Sequence, residues 1–268
     1  MPIAKVNGTN INYKVQGKGE PLVLIMGFTS DQSGWIFQRG AFSKHYSVIT
    51  FDNRGVGKSD KPSGDYSSKM MADDAIGLMD HLGIKKAHIL AVSMGGTIGQ
   101  QIAINYPERV NKLVLGCTFA TTDDSSGITA ELTKALQTRE KQIADDGKGM
   151  NIFQFLDVFL PSTFNKRLYR TVFLPIMKIQ ARLNGSTGLL GQLAVGFAHN
   201  SLDSLHTINV RTLVITGTKD RLIKPTSSEV IAKLIPNAKL VKVEGGSHGF
   251  FIEMSGRFNR EVLDFLRA

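Results

Sequence analysis

A serine in a turn of small residues is the residue of this chain best placed to do chemistry. Ser93 lies in the segment Ala91-Val92-Ser93-Met94-Gly95-Gly96, after the apolar run His88-Ile89-Leu90 and before a helical pattern. A tight turn between a buried strand and a helix lifts the serine hydroxyl out of the sheet, where it can act as a nucleophile. Such turns usually have the pattern G-x-S-x-G, and here Ala91, which is also small, takes the first position.

A serine nucleophile needs a base to take its proton. Of the six histidines, His248 is favoured, because it lies in a glycine-rich loop, Gly245-Gly246-Ser247-His248-Gly249, between the last strand pattern and the last helical pattern. Glycines around a histidine let the loop bring the ring to a fixed point. His199 is the rival candidate, since it lies near the place where a helical insert returns to the core.

An acid must orient that base. Asp220 follows the apolar strand pattern Leu213-Val214-Ile215 and lies in a loop, so we expect it to take this role. Capping of a turn by a surface aspartate is the alternative. The chain order Ser93, Asp220, His248 strengthens the catalytic interpretation of all three residues.

Two backbone N–H groups must also stabilise the oxyanion that forms during attack on a carbonyl. The residue after the nucleophile supplies one, here Met94. The other comes from the loop after an early strand, here Met26-Gly27-Phe28, so we expect the N–H of Phe28 to be the second donor. Gly27 would give the backbone room to turn inward.

These residues resemble the α/β-hydrolase superfamily over nearly the whole chain. Another shared segment is Asp52-Asn53-Arg54-Gly55-Val56-Gly57-Lys58-Ser59, which in that superfamily is a structural loop beside the site. Within the superfamily the chain is similar to the small capped esterases and the 3-oxoadipate enol-lactonases. Met26 stands where many relatives have histidine, and Asn200 follows His199 where enol-lactonase-like members have aspartate. The resemblance thus implies a reaction type and leaves the substrate class open.

That reaction type is hydrolysis of carboxylic esters or lactones through an acyl-enzyme on Ser93, without a cofactor or a metal. Serine at this position excludes the chemistry of haloalkane dehalogenases and epoxide hydrolases, which attack with aspartate. Two other kinds of enzyme keep the same three residues, namely cofactor-free perhydrolases of the haloperoxidase type and carbon–carbon bond hydrolases. The alternative that is not an enzyme in the usual sense is a ligand receptor with slow turnover. Some plant hormone receptors of the superfamily are of this kind.

Apolar side chains indicate what the substrate would carry. Phenylalanines crowd the middle of the interval from 119 to 205, so we expect a small-molecule ester or lactone with an apolar part. Packing of helices on the core remains the simpler explanation for most of those phenylalanines. The candidate pocket residues are Gly27, Trp35, Phe159 and His199.

Composition limits the classes of protein to which the chain can belong. Hydrophobic residues make up 42% of its 268 residues, which is enough for a full core. The net charge of +9 comes from scattered basic residues, so we expect a solvated basic surface and no nucleic-acid partner. The single cysteine, Cys117, can form no internal disulfide, and no signal-peptide pattern or membrane-spanning run is present. We expect a cytoplasmic monomer or homodimer.

Strand and helix patterns alternate along the chain, which predicts an α/β fold with a mostly parallel central sheet and helices on both faces. The rhythm breaks between 119 and 205, where helical patterns occur without a convincing strand. We therefore predict a hydrolase core formed by residues 1–118 and 206–268 and a helical cap formed by residues 119–205. The strand patterns lie at Ile3–Val6, Ile11–Val15, Leu22–Met26, Tyr46–Phe51, Ala87–Val92, Leu113–Cys117, Thr212–Thr216 and Leu240–Val243.

Overall fold

The computed structural model describes residues 2–122 and 163–268. An eight-stranded sheet runs through the described part in the order β1-β2-β4-β3-β5-β6-β7-β8. The strands are β1 (Ile3–Val6), β2 (Thr9–Gln16), β3 (Pro21–Ile25), β4 (Ser47–Phe51), β5 (Ala87–Val92), β6 (Val110–Gly116), β7 (Thr212–Gly217) and β8 (Lys239–Val243).

Six neighbouring strands, from β4 to β8 in the sheet order, run parallel, and only the first two pairs at one edge are antiparallel. The antiparallel edge begins with a hairpin at Asn7-Gly8, where both residues have positive φ (48° and 73°) as a two-residue turn requires. The prediction of a mostly parallel sheet is confirmed.

Helices cover both faces of this sheet, as predicted. Helices α2, α3 and α6 pack on one face, and α1, α7 and α8 pack on the other. None of the helices in the described ranges combines the length and the apolar character needed to cross a bilayer. The helices are α1 (Ile36–Phe42), α2 (Ser68–His81), α3 (Met94–Asn105), α4 (Arg167–Asn184), α5 (Ser186–Ala198), α6 (Pro225–Leu234), α7 (Phe250–Glu253) and α8 (Ser255–Arg267).

The central strand β5 shows why its sequence is an unbroken apolar run. Ile89 and Ala91 point into the core on the α2–α3 face, while Leu90 and Val92 point into the core on the opposite face. Successive side chains of a strand alternate between the two faces, so both must be apolar when both are covered. This burial fixes the height at which the strand ends, directly before Ser93.

Most of the described part of the interval from 119 to 205 is helical. An isolated antiparallel bridge joins Thr121 and Asn200, so the two ends of the interval meet at one place on the core. Helix α5 packs closely on the loop that follows β4. A side chain at Gly188 would overlap the carbonyl of Gly55, and one at Gly191 would lie 2.7 Å from the Tyr66 ring. These glycines therefore let helix and loop approach each other.

Two amide side chains fasten the same helices to the core. Asn184, at the end of α4, donates from Nδ2 to the Thr29 carbonyl (3.0 Å) and accepts from the Gly57 N–H (2.8 Å). Gln192, in α5, donates from Nε2 to the Arg54 carbonyl (2.8 Å) and accepts from the Thr29 N–H (3.1 Å). Each amide both donates and accepts, so its orientation is fixed by the network.

The alanine at the first motif position is accommodated by a glycine on the adjoining helix. A Cβ atom added at Gly99, in α3, would lie only 2.9 Å from the methyl carbon of Ala91. Real carbon atoms do not pack this closely without displacing each other. The methyl group of Ala91 therefore occupies space that Gly99 leaves open, and strand β5 and helix α3 keep their close contact.

We predict that Gly99→Ala lowers the free energy of unfolding, although alanine favours a helix over glycine by about 1 kcal/mol. In the double variant Ala91→Gly/Gly99→Ala the overlap is gone, so its loss should be smaller than the sum of the single losses by about 1 kcal/mol. Urea unfolding of the parent, the two single variants and the double variant measures this coupling between positions 91 and 99. Gly256→Ala, in α8, is the control, because among residues 2–122 and 163–268 no atom lies within 4 Å of its added Cβ. Additive losses would show that the two positions are independent.

Candidate active site

Ser93 adopts a strained backbone conformation at the end of β5. Its φ of 55° and ψ of −129° are uncommon for a residue with a side chain. The Ser93 N–H donates to the Gly116 carbonyl (2.9 Å), and the Ser93 carbonyl accepts from the Gly96 N–H (2.8 Å) and the Thr118 hydroxyl (2.8 Å). These bonds hold the sharp turn that presents the serine hydroxyl above the sheet.

Glycines on both sides make the turn possible. A Cβ atom at Gly27 would lie 2.8 Å from the Cβ of Ser93, and one at Gly95 would overlap the Ile25 carbonyl. The loop after β3 therefore lies directly against the serine. This contact places Gly27, a predicted pocket residue, beside the nucleophile candidate.

The three predicted catalytic residues come together in one hydrogen-bonded chain. The Ser93 Oγ lies 3.0 Å from His248 Nε2, and His248 Nδ1 lies 2.8 Å from Asp220 Oδ2. Because a carboxylate only accepts, His248 donates from Nδ1 and leaves Nε2 as the acceptor for the serine hydroxyl. Both the Asp220 and His248 side chains are buried. The geometry is that of a nucleophile, a base and an orienting acid.

Backbone donors hold the carboxylate of Asp220 in place. Its Oδ1 accepts from the N–H groups of Leu222 and Ile223, each at 2.9 Å, so that Oδ2 is left for the histidine. The Cys117 thiol is buried nearby. Burial, together with the negative charge of Asp220, raises the pKa of that thiol well above its usual range, so Cys117 stays protonated.

The histidine loop is anchored from several directions. A side chain at Gly217 would overlap the carbonyl of Gly246, so the ends of β7 and of the histidine loop touch backbone to backbone. The Gly249 N–H donates to the Thr163 carbonyl (2.7 Å), and the Ser247 hydroxyl donates to buried Glu253 (2.5 Å). These contacts fix the position of the His248 ring relative to Ser93.

The two predicted oxyanion donors lie on either side of the nucleophile. Met94 is the first residue of α3, and the first N–H groups of a helix have no partner within the helix. Phe28 follows Gly27 in the loop after β3. This loop is tied down by Asn53 Nδ2, which donates to the Met26 carbonyl (2.9 Å), and by the bond from the Thr29 N–H to Gln192. We keep the oxyanion role of Phe28 and Met94 as a prediction.

Asp52 organises the loop that the resemblance marks as structural. Its buried carboxylate accepts from the Gln32 N–H (3.0 Å), the Lys58 N–H (2.9 Å) and the Asn12 side chain (2.7 Å). Arg54 in the same loop forms a buried ion pair with Asp74 of α2, with Nη2 and Oδ1 2.7 Å apart. The segment thus connects three parts of the core beside the site.

An apolar cavity of about 60 Å³ opens next to Ser93. The described residues that border it include Thr122, Gln192 and Gly196, and none of them carries a charged side chain. Nor do the described ranges hold a group of three or more histidine, cysteine or acidic side chains that could bind a metal ion. The apolar residues that line the cavity in the described part of the chain are Phe28, Met94, Phe119, Leu193, Leu222 and Ile223.

The other three predicted pocket residues are not among the described residues that border the cavity. Trp35 is fully buried and packs on Phe251, with ring centroids 5.8 Å apart, and it is not among the described residues that border this cavity, so its pocket role stays a prediction. The ring of His199 packs edge to face on Phe119 at 5.9 Å and is not among the described residues that border the cavity, so its pocket role also stays a prediction. Phe159 lies outside the described residues.

Sequence reasoning missed most of the residues that border the cavity. Leu222 and Ile223 lie two and three residues after Asp220, so their closeness to a candidate site residue could have indicated them. Leu193 and Gly196 offered no such signal. They lie far along the chain in α5, and only the docking of that helix brings them to Ser93.

His199 is the centre of a buried polar cluster. Its Nδ1 lies 2.9 Å from the Ser68 hydroxyl and its Nε2 lies 3.3 Å from Gln100 Oε1. Gln100 also donates to the Phe119 carbonyl (2.9 Å), which supports the cavity wall. Burial lowers the pKa of His199 to about 4, so the ring is neutral near pH 7.

We predict that this histidine makes the protein sensitive to acid. The unfolded His199 takes up a proton near pH 6.5, while the folded ring resists protonation until about pH 4. Its contribution to stability is therefore complete above pH 6.5 and is lost as the pH falls toward 4, by about 3 kcal/mol in total. Urea unfolding at pH 7 and pH 4.5 should show a smaller loss for His199→Gln than for the parent protein.

The control for this measurement is His206→Gln, which replaces an exposed histidine. It should lose stability on acidification as the parent does. Parallel losses in all three proteins would show that His199 does not account for the acid sensitivity.

Comparison with known proteins agrees with this geometry. A family model described as the alpha/beta hydrolase fold matches residues 20–254. Among solved structures, the enol-lactonase from Burkholderia xenovorans is 28% identical, with a TM-score of 0.86 and all of both chains covered.

Curated relatives cover almost the whole chain as well. A putative carbamate hydrolase, RutD, of Azorhizobium caulinodans is 26% identical over 266 residues, which are 99% of this chain and 98% of the relative. The 2-hydroxymuconate semialdehyde hydrolase of Pseudomonas putida is 30% identical over 97% of this chain and 91% of its own. The fold and these matches together show that the chain belongs to the α/β-hydrolase family and is a hydrolase.

Proposed function

We propose that the protein is a serine hydrolase that cleaves carboxylic esters or lactones through an acyl-enzyme on Ser93. The observation that carries this proposal is the unbroken hydrogen-bonded chain from Asp220 through His248 to Ser93. That chain ends beside a cavity whose described lining is apolar. The site can therefore activate the serine and hold the uncharged part of a substrate against it.

In the first half of the proposed reaction, Ser93 Oγ attacks the substrate carbonyl carbon. His248 Nε2 accepts the hydroxyl proton as the new C–O bond forms, and Asp220 stabilises the resulting imidazolium. The N–H groups of Phe28 and Met94 donate to the oxyanion, which carries more charge than the ground-state carbonyl. His248 then gives its proton to the departing alkoxide, and the acyl group remains on Ser93.

Water completes the reaction by the same route in reverse. His248 removes a proton from a water molecule as the water oxygen attacks the acyl carbon. The second tetrahedral intermediate collapses when His248 returns that proton to Ser93 Oγ, which releases the carboxylic acid. In a lactone the leaving alkoxide belongs to the same molecule, so the product is a hydroxy acid.

The relatives support more than one substrate for this chemistry. The solved enol-lactonase favours a lactone, and the relative named carbamate hydrolase favours an acyl group bonded to nitrogen. The relative named 2-hydroxymuconate semialdehyde hydrolase favours carbon–carbon cleavage as the second candidate. The described lining offers no cation to a substrate carboxylate, which favours uncharged esters and lactones. Parallel assays of neutral esters, lactones and a 2-hydroxymuconate semialdehyde separate these substrates.

The proposal includes the division of the chain into a core of residues 1–118 and 206–268 and a cap of residues 119–205. Its support is the bridge between Thr121 and Asn200 and the docking of α5 over the loop that follows β4. Part of the cavity wall then belongs to the cap, which would contribute to the choice of substrate.

We predict that Ser93→Ala lowers kcat/KM for p-nitrophenyl acetate by about 10⁴-fold or more, because the nucleophile is lost. The parent protein, mixed with the ester and quenched with acid, should carry an acetyl group on the peptide that contains Ser93, as read by mass spectrometry. The melting temperature of the variant controls for folding. A folded Ser93→Ala protein with undiminished turnover would exclude Ser93 as the nucleophile.

We predict that His248→Gln lowers the same rate by a comparable factor, since the serine then has no base at 3.0 Å. His199→Gln is the matched control, because it replaces the other buried candidate histidine, whose ring lies behind Phe119. It should keep most of the activity near pH 7. A larger loss in His199→Gln than in His248→Gln would overturn the assignment of the base.

A further inference from the structure

Three glycines of helix α5 have different surroundings. Gly188 and Gly191 lie against Gly55 and Tyr66, so a larger residue at either position would push the helix off the core. At Gly196, by contrast, no atom of the described residues lies within 4 Å of an added Cβ. A glycine inside a helix costs about 1 kcal/mol of stability relative to alanine. Close packing explains the first two glycines and leaves the third without a structural reason.

The open space beside Gly196 is the cavity at Ser93, which Gly196 borders. Gln192 and Leu193 border the same cavity, and residues four apart lie on one face of a helix. Gln192 is bonded to Arg54 and Thr29, which ties this face of α5 to the loops beside the cavity. A side chain added at position 196 would therefore take up cavity volume.

If the proposed mechanism holds, the cavity takes the acyl side of the substrate. In the proposed mechanism His248 gives a proton to the leaving group, so the leaving group must lie next to the imidazole. His248 is not among the described residues that border the cavity, whereas Ser93 and the two predicted oxyanion donors, Phe28 and Met94, are. The part of the substrate that extends into the cavity is thus the part that stays on Ser93.

We propose that Gly196 is a specificity-determining residue that admits an uncharged, apolar acyl chain longer than acetyl. The absent side chain leaves room along the face of α5 that borders the cavity through Gln192, Leu193 and Gly196. The inference rests on the proposed function, since it concerns the acyl group of the same acyl-enzyme. Its substrate class is a neutral ester or lactone with a linear aliphatic acyl part.

The experiment compares kcat/KM for p-nitrophenyl acetate, butyrate and octanoate in the parent protein, Gly196→Ala and Gly196→Leu. The parent should prefer butyrate or octanoate to acetate. In Gly196→Leu the ratio of octanoate to acetate should fall by about tenfold or more, because a filled apolar pocket rejects methylene groups. Gly196→Ala should give a smaller fall in the same direction, which provides a result even where the leucine variant folds poorly.

Gly40→Leu is the matched control, since Gly40 is an exposed helical glycine of α1, and in the part of the chain that the structure describes no atom lies within 4 Å of its added Cβ. It should keep the chain-length profile of the parent. An unchanged profile in both Gly196 variants, with melting temperatures that show folded protein, overturns the inference and leaves the proposed function intact. Absence of hydrolysis of every ester by the parent overturns the proposed function, and the inference with it.

Discussion

The close approach of three backbones around Ser93 is the constraint on which the rest of the structure depends. Strand β5, the loop after β3 and the start of α3 meet where a methyl group at Gly27 or Gly95 would overlap its neighbours. A serine with positive φ is tolerated there because its N–H and carbonyl are both bonded to the surrounding chain. The strain is local, and the buried sheet that ends at this point holds it in place.

The parts that surround the serine are joined by polar groups with little freedom. Asp52 links the loops after β3 and β4 to strand β2, while Asn184 and Gln192 link α4 and α5 to those loops. Thr29, with a φ of 68°, is bonded to both amides. A buried carboxylate or amide that loses one partner is costly, so these groups resist displacement as a unit. The cavity wall formed by α5 is therefore held against the core loop beneath it.

Much of the fold could be predicted from local pattern, because burial on both faces makes a strand apolar throughout and burial on one face gives a helix its periodicity. The predicted strand at Ala87–Val92 has its observed bounds, and the pattern at Leu113–Cys117 lies within or next to the longer β6. The approach of Asp220 and His248 to Ser93 was also predictable, since each follows a parallel strand at the same edge of the sheet. The burial of Trp35 against Phe251 was not predictable, because an aromatic residue near an early loop can turn toward solvent or into the core.

The sequence by itself determined the serine turn, the order of the three polar residues and the alternation of strands and helices. These are properties of short segments, where the side chains that matter are neighbours along the chain or recur at a fixed period. Only the tertiary structure decided which residues border the cavity. Phe28, Phe119, Leu193 and Ile223 come from four distant segments, and each reaches Ser93 through the docking of a whole element. The same is true of Gly99, whose missing side chain makes room for Ala91 across a strand–helix contact that no local pattern contains.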